Sequence, residues 1–140
     1  MKMQSDVYPQ PFIISPRGHD SCYLLFTDHV TPFEVDCQTF YQYDAYVLTE
    51  PCRDTLEQEI TDQYDLWLQK AKDADRQQQA LQVRQRRNRL LSQCDWTQMP
   101  DVDSNIAQGF RDYRQALRDI PQQEQFPYDV QWPSSPSINE

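Results

Sequence analysis

Between residues 7 and 49 the apolar positions fall in short runs separated by turn residues. Phe12–Ile14 is followed by Ser15-Pro16-Arg17-Gly18, Cys22–Phe26 is apolar throughout, the segment from Phe33 alternates apolar with polar, and Asp44–Leu48 forms a last run. Short β-branched and aromatic runs bounded by Pro, Gly and Asp predict strands. Three or four of them would form a small antiparallel sheet.

The period then changes. Leu56, Ile60, Tyr64, Trp67, Leu68 and Ala71 recur at spacings of three and four, which makes one apolar stripe on a helix. Thr49 or Asp54 is a candidate cap, and Pro51 suits a first helical turn. Beyond Ala71 the stripe thins to Ala74, Ala80, Leu81 and Val83. No Gly or Pro interrupts Arg53–Cys94, so a helix of roughly 40 residues is allowed, with a break expected near Asp73–Gln77. Globular helices average about 11–12 residues, so this one reads as a spacer, or as a helix packing on itself or on a copy. A coiled coil is the alternative, although heptads are not sustained past Ala71.

The last third pairs two helical segments. Leu90 and Leu91 close the long helix, Cys94-Asp95-Trp96 makes a turn, and Pro100 with the Asp-rich stretch to Asn105 makes a loop. Asp103 or Ser104 caps a second helix carrying Ile106, Phe110, Tyr113 and Leu117, and Pro121 stops it. Two such helices joined by about ten residues fold back as an αα-hairpin, with Trp96 plugging its open end. The segment from Phe126 to Pro136 is too rich in proline to be helical and is expected to run extended over the hairpin. The fold class is therefore α+β: a small N-terminal antiparallel sheet, a long central helix and a C-terminal αα-hairpin with a Pro/Trp tail. The expected divisions are residues 1–50 (a β-rich, partner-binding head), 51–83 (a helical connector), 84–136 (the hairpin) and 137–140 (the tail end).

Charge narrows the chemistry. Thirteen Lys and Arg stand against 22 Asp and Glu, a formal net charge of −9. This disfavours general nucleic-acid binding. With 38% hydrophobic residues the core is small, so a partner or a further copy of the chain would help it. No apolar run approaches the roughly 20 residues of a membrane span, and the N-terminus lacks the apolar stretch of a signal peptide. Cys22, Cys37, Cys52 and Cys94 include no C-x-x-C pair and are expected to be reduced thiols.

Candidate reactive groups are few. His19, Cys22, His29 and Cys37 are possible zinc ligands, but their spacing departs from that of structural sites, so neither metal nor cofactor is expected. No nucleophile, base and oxyanion donor can be grouped, and enzymatic activity is not expected. Two glycines, Gly18 and Gly109, cannot build a phosphate-binding loop. Arg84, Arg86, Arg87 and Arg89 spread over more than one helix face and are expected to pair with Asp95, Asp101 and Asp103 rather than bind nucleic acid. Trp96, Phe110 and Tyr113 read as core. Trp132, in an extended segment, either docks on its own domain or is offered to a partner.

Three stretches read in order carry a resemblance: RNRLLSQCDWTQMPDV (87–102), FRDYRQALRDIP (110–121) and FPYDVQWP (126–133). Together they resemble the C-terminal domain of the phage tail assembly chaperone family, over about residues 84–136. The matching positions are Arg87, Leu90, Leu91, Asp95–Gln98, Pro100, Asp101, Tyr113–Asp119, Pro121, Phe126, Pro127, Trp132 and Pro133. Phe110 stands where the family usually has tryptophan.

The resemblance implies a non-enzymatic bacteriophage protein that assists assembly of tails or tail fibres by binding a tail or tail-fibre protein in the host cytoplasm. A permanent component of the virion tail, attached to a fibre or the tail hub, is the alternative. The residues expected to define the module or bind the partner are Arg87, Leu90, Leu91, Asp95, Trp96, Tyr113, Leu117, Phe126 and Trp132. Residues 1–50 lie outside the resemblance and are expected to set the partner's identity.

Overall fold

The computed structural model describes residues 1–137; residues 138–140 of the expected tail end lie outside the described residues. The chain divides into two compact units, Met1–Asp75 and Arg76–Glu140.

The first unit holds four strands: β1 (Lys2–Ser5), β2 (Phe12–Arg17), β3 (Ser21–Val35) and β4 (Gln38–Pro51). All pairings are antiparallel, in the order β1-β4-β3-β2. The α+β class and the N-terminal sheet are as expected, but the strands are longer than the apolar runs. The runs starting at Cys22 and Phe33 are one strand, bent by a register shift between Asp28 and Thr31 where His29 takes φ 51°. β3 and β4 meet through a tight turn in which Asp36 and Cys37 have φ of 50° and 63°. Positive φ at both central residues matches the right-handed twist of paired strands.

Alternation decides the core. Cys22, Leu24 and Phe26 point to one face of β3, with Leu48 beside them on β4. They pack against Leu56 and Ile60 of α1 (Leu56–Asp62) and Ala71 of α2 (Tyr64–Gln93), flanked by Trp67 and Leu68. The Tyr64 hydroxyl donates toward the Thr27 and Pro11 carbonyls, 3.0 and 3.1 Å away.

Three expectations are corrected here. Cys22 and Cys52 are not free thiols but a disulfide. The β3–β4 register sets Cys22 opposite Glu50, and Cys52, two residues past Glu50, lies diagonally beside Cys22 with their Cα atoms 5.1 Å apart. Thr49 and Pro51 belong to β4, and the helix begins instead after Thr55, whose hydroxyl bonds to Glu59. The helical break falls at Gln63, not at Asp73–Gln77. Through Asp73–Gln77 the helix continues, because the Asp, Ala, Arg and Gln residues there include no helix breaker and Gln69 donates to Asp73 one turn on.

The second unit contains the C-terminal part of α2, a 3₁₀ turn at Asp95–Gln98, α3 (Ser104–Asp119) and a short 3₁₀ segment at Ile120–Gln122. The Asp103 carboxylate accepts from the Asn105 amide at 2.8 Å, so Asp103 is the cap of α3. Leu117 and Ile120 are fully buried beside Cys94, Phe110 and Tyr113. The tail is not extended from Phe126 onward. Turns occupy residues 124–128, and Gln123 bonds through its side chain to both the amide and the carbonyl of Gln131.

Candidate protein-binding surface

The sequence-predicted residues of the second unit separate into an inner and an outer set. Tyr113 and Leu117 face inward because α3 repeats apolar residues at positions 106, 110, 113 and 117. Leu90 and Leu91, from the last turn of α2, pack half-buried on the same cluster, as do Phe126, Val130 and Trp132 of the tail. Burial, and secondarily the neighbouring Cys94, pushes the Tyr113 hydroxyl above its ordinary pKa.

The arginines do not meet the loop carboxylates as expected. The Arg84 guanidinium lies 5.6 Å from the Phe126 ring centre, and that of Arg86 lies 4.3 Å from the Trp132 ring. These are cation–π distances, and they hold the two aromatic side chains of the tail on the side of α2. Arg87 donates to the side chain of its neighbour Asn88. Trp132 is thus docked on its own unit.

Asp95 is instead partnered by Arg114, a residue that periodicity alone did not single out. Position 114 lies one turn beyond Phe110 on the buried face, so a cation there needs internal partners. It has them. Its guanidinium donates to the Leu91 carbonyl at 2.9 Å, approaches the Cys94 sulfur at 3.2 Å and pairs with Asp95 at 2.8 Å. Burial opposes its charge, but the bonds to Cys94 and Asp95 outweigh that and hold its pKa above the usual value. One side chain therefore ties α3 to the end of α2 and to the 3₁₀ turn.

Trp96 is corrected from core to surface. It is 41% exposed, with its ring centre 6.3 Å from that of Phe110, and Met99 beside it is 56% exposed. The buried residue of this turn is Thr97, whose hydroxyl donates to the Cys94 carbonyl at 2.6 Å. Three residues per 3₁₀ turn put Cys94 and Thr97 on the inner side and leave Trp96 between them at the surface. Packing contacts and an exposed apolar turn are what this unit presents, and among its described residues no three His, Cys, Asp or Glu side chains group as metal ligands.

Residues 80–137 match the family model described as phage tail assembly chaperone protein. No curated protein and no solved structure matches the chain.

Proposed function

We propose that this chain assists the assembly of phage tails or tail fibres by binding a tail or tail-fibre protein, without catalysing a reaction. The observation that carries the reading is the family match over residues 80–137. The geometry supports it. Tyr113, Leu117, Leu90 and Leu91 define the module by building its core, Asp95 anchors Arg114, and Phe126 and Trp132 strap the tail down. Trp96, with Met99, is left outward as a compact apolar contact of the kind protein interfaces use. Arg87, which bonds to its neighbour Asn88, belongs to the module rather than to the contact.

The head, residues 1–50, selects the partner, and the host cytoplasm during assembly is where the complex forms. Co-expression with the tail and tail-fibre proteins of the same phage, followed by co-purification, tests this directly. Recovery of one of them in a soluble complex, lost on Trp96→Ala with Met99→Ser at unchanged helicity, is the expected result. Failure to retain any of them removes the assembly role. A permanent place in the virion is separated by mass spectrometry of purified particles, where a structural component is stoichiometric and an assembly factor is at trace level.

A further inference from the structure

One surface of the second unit has most of its side chains outside the module's core. A groove of about 560 Å³ runs along α3, and all its lining residues are polar. Three of them are guanidiniums, Arg111, Arg114 and Arg118, against a single carboxylate, Asp112. Gln108, Arg111, Gln115 and Arg118 recur at spacings of three, four and three, which places them in one row about 15 Å long. The Gln98 amide, held by bonds to Thr97 and the Ala107 carbonyl, closes one side.

The guanidiniums are unequally committed. Arg114 spends its donors on Leu91, Cys94 and Asp95, and Arg111 gives one to Gln108. Arg118 has no hydrogen-bond, ion-pair or ring partner among the described residues, so its whole fork is available. On a chain of net charge −9 this is a locally cationic concavity. Planar guanidinium forks beside amide donors match carboxylates in geometry as well as charge. The lining contains no aromatic ring on which a nucleic-acid base could stack.

We infer that this groove seats an acidic segment of the protein partner, with Arg111 and Arg118 gripping successive carboxylates; this rests on the assembly role proposed above. The probe is an acetylated, fluorescein-labelled hexaglutamate peptide, with binding to the full chain followed by anisotropy. Binding that falls with added salt is expected, weakened at least about tenfold by the double variant Arg111→Glu/Arg118→Glu, as when two charge-assisted contacts become repulsive. Both side chains are exposed, so the variant keeps its fold, and circular dichroism verifies this.

Hexaglutamate binding that is absent, or indifferent to the double variant, overturns the inference. So does a single-stranded oligonucleotide that binds through Arg111 and Arg118 while hexaglutamate does not. The co-purification assay separates the two readings. If the double variant retains the tail protein as well as wild type does, the groove is not the contact and the assembly role stands. If wild type retains no tail protein yet binds hexaglutamate through these arginines, the carboxylate site stands and the assembly role falls.

Discussion

Arg114 permits the most discriminating test of how the second unit is held together. In Arg114→Leu the apolar bulk of the stem is retained and every donor is lost. The Leu91 carbonyl then loses a charge-assisted bond of 2.9 Å, a loss of about 1.5–3 kcal/mol for a bond of this kind. Asp95 also loses its partner, but its side chain is 62% exposed and rehydrates, so that pair contributes no more than about 1 kcal/mol. The total expected is about 3 kcal/mol. Asp95→Asn removes only the pair and should cost less than about 1 kcal/mol. Urea unfolding followed by far-ultraviolet circular dichroism measures both, and hydrogen exchange of the α3 amides localises the loss. Equal costs for the two variants would show that the exposed ion pair, not the carbonyl anchor, carries the energy. A cost for Arg114→Leu within the roughly 0.5 kcal/mol scatter of surface substitutions would refute the anchor altogether.

Leu117→Ala, at a fully buried position, is expected to cost about 2–5 kcal/mol, read as a lower urea midpoint at unchanged slope. Trp132→Ala should free the tail for proteolytic nicking between Val130 and Ser137 while unit stability changes by about 1 kcal/mol, since the ring is only half-buried and its Arg86 contact is near the surface. Asp28 gives a pH signature in the first unit. Burial raises its pKa, yet the Lys72 ammonium at 2.5 Å and the His29 amide bring it below the ordinary 3.8. A folded-state pKa below the unfolded one means that this stabilisation is complete above the ordinary carboxylate value and is lost as pH falls from that value through the lower folded-state one. Asp28→Asn should therefore flatten the acid limb of a plot of thermal midpoint against pH.

What could be read from the sequence was what depends on period and on neighbours in the chain. The inward set of α3 and its Asp103 cap follow from spacings of three and four and from cap chemistry. The sheet followed from its apolar runs, but Cys22–Phe26 is apolar at every position, so no alternation marked which side chains were buried. The β3–β4 turn was hidden because Asp36–Cys37 lacks the glycine that usually marks such a turn. The disulfide depends on strand register, which no spacing of cysteines encodes. Trp96 was misread as core because the turn is a 3₁₀ helix whose three-residue period turns Cys94 and Thr97 inward and leaves Trp96 outside. Arg114 was legible in principle, as a cation on an apolar stripe. Arg84 and Arg86 were misassigned because their contacts lie in the tail, about 40 residues on, and not in the nearer acidic loop.

The Cys22–Cys52 link has a consequence beyond stability. It ties the start of β3 to the residue just past the end of β4, across a separation of 30, while the Asp36–Cys37 turn joins the same two strands at the other end. In the oxidised chain the two central strands are therefore a closed covalent ring, with no loose end from which they could unzip. Sliding one strand past the other would require remaking both ends at once. β1 and β2, at the two edges, are outside the ring and can peel away without disturbing its register. Reduction opens the ring, and only then can the central pair fray from its end, so the thiol state of the surroundings decides whether this sheet comes apart from its margins or through its middle.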